Sequence, residues 1–488
     1  MVYLNSPSIK CGLLSLLFIS LTIFGIIFEP SLLPASEKAT FTVALTGKFP
    51  PFSFYSGKGD LAGFDVDVAK EIAGHLDREL ILVTTEWDGI IAGLLLKKYD
   101  AVIGAMAITP ERAKKVNFSR PYTYSGAQLF IHRQKDSKIK QVNDLKGAKV
   151  GVGLGETYEQ FLREKHPEIE LVTYKAMTDI FQDVLNGRLD GFVTDRLVGL
   201  YQIGQGGMPF VAAGPLLYEE RLGIPVTPDN NELLDGINGA LRQMEESGKL
   251  KVLRDKWFAP PSQKEANVVA PMEGPVIMKK LLRGFGVTLL VGLSSCFLGF
   301  MAAIPFGIIL QRKINHLTAI LRFGNDFIRA TPLLIQLFFV YFGAPQIGIV
   351  LSPLQAAVIT LSVNASAYMA EVIRAGLMAV DYGQSLAGIA LGLTKFHVFR
   401  FVVWPQAFRI ALPPLMNAVV ALIKDTSLIA VISVAEVIRE AQSIISVTYN
   451  PIKYYFIVGL LFFIISFPLM KLSGRMEKSI KAKGFSHA

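Results

Sequence analysis

The chain has 488 residues, 51% of them hydrophobic, and a mean hydropathy of +0.42. That value is high for a wholly soluble protein, so we expect part of the chain to lie in lipid. The formal net charge of +9 suits nucleic-acid binding or basic residues beside apolar spans, and the apolar content favours the second. Only two cysteines occur, each in an apolar run, which excludes a disulfide framework and a cysteine metal motif.

Residues 1–38 have the pattern of an export signal. Lys10 precedes the uncharged run 11–28, and prolines follow before the first polar stretch. The run is long for a cleaved signal peptide and just long enough to span a bilayer, so a signal anchor is an equal alternative. Both predict that the residues that follow are exported.

Residues 39–260 have the composition of a soluble α/β domain. Short strands such as "FTVAL", "KVGVG" and "DGFVT" alternate with helical segments, which predicts parallel sheets. Residues 261–280 are rich in proline and lack periodicity, so they are predicted to be a linker.

Residues 281–475 are predicted to form an all-α transmembrane domain of about five helices, and residues 476–488 a basic cytoplasmic tail. Pro332, Pro413 and Pro414 are placed to break helices. If the preceding domain is exported, an odd number of spans puts the basic tail in the cytoplasm. The apolar runs lie at 284–310, 327–342, 354–372, 410–432 and 454–470.

The soluble region carries a specific set of motifs. The stretches "GDLAGFDVDVAKEIAG", "GAMAITPERAKKVNFSRPY", "TDRLVGLY" and "SGKLKVLRDKWF" occur in this order. Together they resemble the family 3 extracellular solute-binding proteins, which capture polar amino acids. The resemblance covers almost the whole region. It implies two lobes around a cleft that closes on its ligand, with crossovers at "GAQLFIHR" and "YEERLGIPV".

The resemblance also implies a ligand site. A free amino acid leaves water only if its carboxylate meets a cation and N–H donors and its ammonium meets an anion. The matching positions are Arg112 for the carboxylate, Thr157 in the glycine-rich turn "GVGLGETYEQFL", and Asp195 for the ammonium. Phe49 and Trp87 match aromatic residues that close over the ligand side chain.

Each of these residues also has an ordinary structural interpretation. Arg112 lies in a basic run where an exposed arginine is common, and Thr157 or Asp195 can cap a helix. Phe49 and Trp87 can belong to the core, the commoner position of an aromatic side chain.

Three departures from the family pattern bear on the ligand. Ala107 replaces a hydroxyl residue, Thr46 replaces an acid found in many relatives that bind basic side chains, and Glu156 adds a carboxylate. We therefore expect a polar amino acid and leave it unnamed.

The second half contains "RATPLLIQLFFVYFG", "NASAYMAEVIRAG" and "LIKDTSLIAVISVAEVI". These motifs resemble the polar amino acid ABC transporter permeases of the histidine/glutamine type. Lys424 and Asp425 are adjacent in an apolar run, where ionisable residues are costly. They either line a translocation path, lie at a helix break near the interface, or form a structural pair.

The stretch "SLAGIALGL" at 385–393 is too short to cross a bilayer. Its apolar residues recur with helical spacing, and Gly388 and Gly392 form a strip of small residues. The resemblance places it as the permease coupling helix, which docks on an ATP-hydrolysing subunit. Leu386, Ala387 and Gly388 stand where the family has Glu-Ala-Ala, whereas Gly392 is retained.

No Gly-x-x-x-x-Gly-Lys-[Ser/Thr] motif occurs, and the six histidines lack metal-ligand spacing. We therefore expect no cofactor in this chain and no enzymatic activity, with ATP and magnesium bound by a separate ABC ATP-binding subunit. The chain is predicted to be the fused binding and permease subunit of an importer in the bacterial cytoplasmic (inner) membrane. Its solute-binding domain would be extracytoplasmic, a second permease copy would complete a homodimer, and no nucleic-acid partner is expected.

Two other classes of protein use a related two-lobed clamp. A ligand-gated channel would split the clamp around the membrane segment and carry a pore filter, neither of which the sequence shows. A dehydratase acting on small acids would not need the attached permease.

Overall fold

The computed structural model describes residues 39–135, 138–258, 272–311 and 316–482. The predicted export signal and part of the predicted linker and tail lie outside the described residues. The chain divides into two compact units. The two-lobed unit contains the described residues up to Leu281 together with Glu440–Tyr454. The helical unit contains Leu282–Arg439 and the described residues from Tyr455 onward.

The first lobe is built on a five-stranded sheet. Strand β1 lies between β4 and β5 and is parallel to both, whereas β12 is antiparallel to β5 and β6. The strands are β1 Thr40–Leu45, β4 Glu79–Thr84, β5 Ala101–Val102, β6 Asn117–Phe118 and β12 Pro225–Val226, with a small hairpin of β2 Phe54–Tyr55 and β3 Leu61–Ala62. The helices are α1 Phe64–His75, α2 Ile90–Leu95, α3 Pro110–Ala113, α7 Asn231–Glu246 and α8 Lys249–Phe258.

The second lobe has its own five-stranded sheet. Strand β8 is parallel to β9 and β10, and β7 is antiparallel to β10 and β11. The elements are β7 Thr123–His132, β8 Lys149–Gly153, α4 Thr157–Lys165, β9 Glu170–Tyr174, α5 Met177–Leu185, β10 Gly191–Asp195, α6 Arg196–Gly204 and β11 Phe210–Leu222.

The predicted two-lobed α/β fold is confirmed, and the predicted crossovers fall in β7 and β11. These long strands pair with each other from Thr123 opposite Leu222. The prediction of parallel sheets holds for the strands that alternate with helices but is wrong for the strands near the crossovers. Those strands pass between lobes and enter a sheet against the direction of its other strands. Buried Asp65, from the "GFDVD" motif, accepts a 2.8 Å hydrogen bond from the Tyr122 hydroxyl at the first crossover.

The helical unit follows the predicted apolar runs. Four described helices are long and apolar enough to span a membrane, or five if one bent pair counts as a single span. Helix α9 begins inside the predicted linker. The helices of this part of the chain are α9 Gly274–Leu310, α10 His316–Ala330, α11 Leu333–Phe338, α12 Pro353–Met378, α13 Tyr382–Ala390, α14 Lys395–His397, α15 Trp404–Asp425, α16 Val437–Thr448 and α17 Pro451–Ala482.

The second predicted span is not one straight helix. Its two pieces meet at Pro332 with a bend of 106°, because proline lacks an N–H group and disfavours a helical residue before it. The Gln336 side chain covers the break, donating to the carbonyl oxygens of Ile328 at 2.6 Å and Thr331 at 3.1 Å. Pro332 therefore breaks the span as predicted.

The prediction of a break at Pro413 and Pro414 is wrong, since both lie inside the continuous helix α15. The Pro413 carbonyl accepts a 3.1 Å hydrogen bond from the Ser473 hydroxyl. This bond ties α15 to α17, and membrane helices tolerate proline in their interior more readily than soluble helices do.

Candidate functional site

Asp195 ends the central strand of the second lobe and caps the helix after it. Its side chain is 1% exposed. Its Oδ1 accepts hydrogen bonds from the Ser125 hydroxyl at 2.8 Å, the Leu197 amide at 2.7 Å and the Val198 amide at 3.4 Å. None of these three bonds uses Oδ2. The helix-cap interpretation is thus correct, and it leaves one carboxylate oxygen outside the cap.

Arg112 comes from the first lobe and is held by its own short helix. Thr109 caps α3 by accepting from the Arg112 amide at 3.3 Å, and Arg112 Nη1 donates to the Ala107 carbonyl at 3.1 Å. The guanidinium carbon lies 5.3 Å from the centre of the Trp87 ring, a cation–π distance. The Trp87 indole also donates at 3.5 Å to the Gly155 carbonyl of the second lobe, so side chains of both lobes meet here.

Two further acidic residues belong to this region, Glu156 at the start of α4 and Glu220 in β11. Glu156 stands at the N-cap position and Thr157 is the first helical residue. The Thr157 hydroxyl donates to Glu220 of β11, so Thr157 is a hydroxyl donor and not a cap. Tyr158 donates to the other oxygen of Glu220 at 3.2 Å. Among the described residues, Glu156 Oε2 is shielded and has no hydrogen-bond partner.

Burial and mutual repulsion set the charge state of these acids. Burial, and after it the nearby Glu220, raise the pKa of Asp195 to about 7. Burial, then Glu220 and Asp195, raise the pKa of Glu156 to about 8. Burial also raises the pKa of Glu220. Arg112 is the cation that Glu220 and Glu156 face. Burial lowers the pKa of Arg112, and these two carboxylates oppose that shift.

The cluster therefore sets one guanidinium against three carboxylates. Perturbed groups of this kind concentrate at functional sites, because a bound ligand supplies the missing charge. The arrangement suits a ligand with a carboxylate for Arg112 and more than one positive group for the acids.

The helical unit contains a cavity of about 520 Å³ at the break between α10 and α11. Arg329, Asn364 and Asp425 are among its lining residues, whereas Lys424 is exposed and is not. The Asn364 amide donates at 3.2 Å to Gln336, the residue that covers the break. The cavity thus brings polar residues of α10, α12 and α15 together within a mostly apolar lining.

Two family models match the chain. The bacterial extracellular solute-binding proteins, family 3, match residues 41–260, and the binding-protein-dependent transport system inner membrane component matches residues 303–481. The L-cystine-binding protein TcyJ of Escherichia coli (strain K12) is 39% identical over 222 residues, covering 46% of this chain and 84% of that protein. The nopaline transport system permease protein NocM of Agrobacterium fabrum (strain C58) is 36% identical over 204 residues, covering 40% of this chain and 84% of that one.

The chain belongs to both families. It is a solute-binding protein fused to a permease, and the predicted transport function is confirmed at that level. Among solved structures, an ancestral arginine-binding protein bound to arginine is 37% identical, with a TM-score of 0.43, and covers 46% of this chain and 100% of its own.

The permease domain presents the predicted docking helix, α13, on its surface. Gly388 is buried because Val398 packs onto it, and a Cβ atom there would lie 2.9 Å from that side chain. Leu386, Ala387, Ile389 and Ala390 are exposed, and Leu391, just after the helix, is 82% exposed. This surface has apolar side chains without charge.

The helix is shorter than predicted at its C-terminal end. Gly392 has a φ of +81° and its amide donates to the Ile389 carbonyl at 2.9 Å, so it ends the helix in a left-handed cap. Gly392 therefore does not extend the small-residue strip of Gly388, and Leu393 lies beyond the helix. The retained glycine has a backbone role.

The structure brings Trp87, Arg112, Thr157 and Asp195 into contact with the same cluster, directly or through Glu220. Phe49 is half-buried and stacks on Phe52, with ring centres 5.9 Å apart. It joins the core of the first lobe, which agrees with the alternative interpretation as a core residue.

Sequence reasoning missed Glu220, Tyr158 and Ser125. Glu220 and Ser125 lie in the crossover strands, and no local sequence pattern marks either residue as part of a site. Only the structure distinguishes them from other polar residues of a strand, since Glu220 is buried and Ser125 is half-buried. Within the part of the chain that the structure describes, no three His, Cys, Asp or Glu side chains are grouped to hold a metal ion.

Proposed function

We propose that this chain is the binding and translocating subunit of an ABC importer for a polar amino acid that carries net positive charge. Arg112 takes the ligand carboxylate, Asp195 takes its α-ammonium, and Glu156 with Glu220 takes a second cationic group. Thr157 holds Glu220 in place, and Trp87 covers the guanidinium of Arg112. The observation that carries this substrate class is the surplus of two carboxylates over the one guanidinium of the cluster.

Relatives support a cationic or multiply charged ligand without deciding it. Similar proteins include binding proteins for L-cystine and for arginine. Thr46 lacks the acid that many relatives use for basic side chains, and Glu156 supplies a carboxylate from the opposite lobe. A basic side chain of the ligand would therefore bind to the second lobe of this protein, through Glu156.

Calorimetric titration of the full chain in detergent tests the substrate class. We expect L-arginine or L-lysine to bind at least about tenfold more tightly than L-glutamine, since an unpaired buried carboxylate disfavours the neutral ligand. The side chain of L-glutamate would add another negative charge to a cluster that already has more carboxylates than cations, so L-glutamate should bind weakest. L-Cystine is the second comparison, because it carries two ammonium groups. Tighter binding of L-glutamate than of L-arginine would contradict the proposal.

In the permease domain, we propose that the cavity at the α10–α11 break is part of the translocation path, with Asp425 as its acidic residue. The preceding residue, Lys424, is the other candidate for the path, but it is exposed and does not line this cavity. We propose that Lys424 faces the pore where a second permease copy completes it. ATP and magnesium would be bound by a separate ABC ATP-binding subunit, and α13 would be its docking helix.

The docking proposal has a direct test in Leu391→Glu. A charge in place of the most exposed apolar residue of this surface should abolish co-purification with a co-expressed ATP-binding subunit while leaving ligand binding unchanged. The control is Gly392→Asn, because asparagine tolerates the left-handed conformation and keeps the helix end. Undiminished co-purification of Leu391→Glu would refute docking through this surface.

The orientation proposal places the binding domain outside the cell and α13 inside. In a variant with Cys11 and Cys296 replaced by serine, Lys146→Cys should react with a membrane-impermeant maleimide on intact spheroplasts. Leu391→Cys should react only after lysis. The opposite pattern would reverse the orientation.

A further inference from the structure

A short segment from the second half of the chain folds with the two lobes. Glu440–Tyr454 belongs to the two-lobed unit although 158 residues separate it from Leu281, where the first part of that unit ends. In the predicted topology it connects the fourth and fifth spans, on the same side of the membrane as the exported domain. The segment Glu440–Tyr449, named here the bridging segment, makes specific contacts with each lobe.

On the first lobe, the bridging segment is held by polar contacts at its beginning. Glu440 forms a 3.0 Å ion pair with Lys280, and both side chains are largely buried. Lys280 also lies 3.7 Å above the centre of the Tyr55 ring of β2. The Gln442 side chain accepts a 2.9 Å hydrogen bond from Lys48, which follows β1. Further along, Val447 packs against the apolar core of this lobe.

On the second lobe, the contact is made by Tyr449. Its carbonyl oxygen accepts a 2.9 Å hydrogen bond from the Gln182 side chain of α5, and its ring centre lies 6.2 Å from that of Phe181. Its φ of +53° is unusual for a residue with a side chain. Such a conformation persists only where surrounding contacts fix it.

Gln442 and Tyr449 are seven residues apart, and nearly all of that distance is helical. Two turns of helix span about 10 Å and do not stretch. A rigid segment that contacts both lobes can satisfy both contacts at only one lobe separation. In this structure that separation brings the lobes together, with Trp87 donating to Gly155 and Lys175 3.7 Å from Asp88.

We propose that the bridging segment recognises the closed clamp by contacting both lobes at once, and thereby couples ligand capture to the membrane region of the same chain. A segment that binds the closed clamp better than the open one shifts the clamp toward closure, and closure tightens the segment's contacts by the same factor. The inference rests on the proposed function, because coupling has a purpose only if a captured ligand is passed on.

The first test needs no ligand. Spin labels at Lys115→Cys in the first lobe and Lys146→Cys in the second, in the full chain with Cys11 and Cys296 replaced by serine, report the lobe separation by electron–electron double resonance. We expect Tyr449→Ala and Gln182→Ala each to raise the ratio of the long-distance to the short-distance population by about fivefold or more. Ile452→Ala is the control, since that side chain is 83% exposed in the same part of the chain.

An unchanged distance distribution in both variants would overturn the inference, whatever the ligand is. Gln182→Ala removes a single hydrogen bond from a partly exposed helix, so it keeps the test valid if Tyr449→Ala fails to fold. Because the proposed substrate class is not used here, its failure leaves this result unaffected.

The second test separates a bridge from two independent contacts. If L-arginine binds the full chain, Gln442→Ala and Gln182→Ala should each raise its Kd by about tenfold. The double variant should show about the same Kd as either single variant, because a bridge that has lost one end no longer senses separation. Additive effects would contradict a bridge, and no effect in either variant would exclude coupling.

Discussion

Two clusters of charged residues, one in each compact unit, differ in their balance of charge. In the solute-binding domain, Arg112 faces Glu220 and Glu156, and Asp195 lies close to the same two acids. In the permease domain, Glu371 pairs with Arg374 through two hydrogen bonds and lies 4.0 Å from Arg329, which is itself 3.6 Å from Asp326. The first cluster has a surplus of negative charge, and the second contains two cations and two anions.

The comparison teaches which cluster serves the fold and which serves a ligand. Charges in an apolar environment are stable only when paired, and the permease cluster meets that condition within its own chain. The binding-domain cluster does not, and it raises the pKa of its acids instead. The cationic ligand proposed above would balance the charge of this cluster from outside the protein.

The largest expected effect follows from removing one charge of the unbalanced cluster. Asp195→Asn keeps the cap of α6 but loses the charge that meets the ammonium, and Arg112→Ala loses the partner of the carboxylate. Each should lower L-arginine affinity by at least about a hundredfold, or roughly 3 kcal/mol, in calorimetry. The thermal midpoint should stay near that of the wild-type chain.

The control for Asp195→Asn is Asp229→Asn, which removes the same charge from an exposed ion pair with Lys97. It should leave the affinity unchanged. Normal binding by both Asp195→Asn and Arg112→Ala would place the ligand elsewhere.

Neutralising the balanced cluster should affect stability and not affinity. Glu371→Gln leaves Arg329 and Arg374 facing each other without the acid between them, which we expect to cost about 2 kcal/mol. Thermal unfolding in detergent measures this loss, and L-arginine binding should not change. An equally stable variant would show that the pairing of Glu371 does not support the fold. Asp326→Asn should have a smaller effect on stability, since the ion pair of Asp326 with Arg329 is more exposed than that of Glu371 with Arg374.

The pH dependence of binding sharpens the contrast. Asp195 and Glu156 have pKa values of about 7 and about 8 in the ligand-free protein, because burial favours their protonated forms. A cationic ligand binds the ionised forms, so protons are released on binding and affinity rises with pH across this range. We expect L-arginine affinity to increase about tenfold between about pH 6 and about pH 8.5.

Glu156→Gln should flatten that pH profile and raise the stability of the ligand-free chain above about pH 5. The pKa of Glu156 is higher in the folded than in the unfolded chain, so its ionised form destabilises the fold. The free energy of unfolding therefore decreases as the pH rises from the unfolded-state pKa to the folded-state pKa, and glutamine at this position avoids that decrease. A pH profile identical to that of the wild-type chain would remove Glu156 from the site.

The smallest expected effect concerns the contact between the lobes at Trp87. Trp87→Phe keeps an aromatic ring near Arg112 and removes the indole N–H that donates to Gly155. A single long hydrogen bond contributes about 1 kcal/mol or less, so L-arginine affinity should fall by about fivefold at most. A hundredfold loss would instead assign Trp87 a direct contact with the ligand.

The motifs in the sequence were sufficient to predict the two-domain organisation. They also singled out one residue of the first lobe and one of the glycine-rich turn as candidates for the site. Arg112 and Thr157 follow recognisable local patterns, and each pattern specifies its own turn and helix start. Glu220 had no such pattern, because its neighbours in sequence form an ordinary strand. Its position beside Thr157 and Tyr158 depends on how β11 pairs with β7 across the hinge.

The sequence by itself determined the features that depend on composition over a short stretch. These are the apolar spans, the presence of a short helix within the stretch 385–393, the break at Pro332, and the absence of a phosphate-binding loop. Each depends on hydropathy, on a fixed backbone angle or on a motif, and none needs a distant residue.

Only the tertiary structure decided which charges are paired and which surfaces meet. Among the described residues, Glu156 Oε2 is buried without a hydrogen-bond partner, whereas Glu371 pairs with Arg374. Gln182 and Tyr449 are 267 residues apart and meet through one hydrogen bond. Pairing depends on a few ångströms between elements, and that separation is set by the packing of the whole fold.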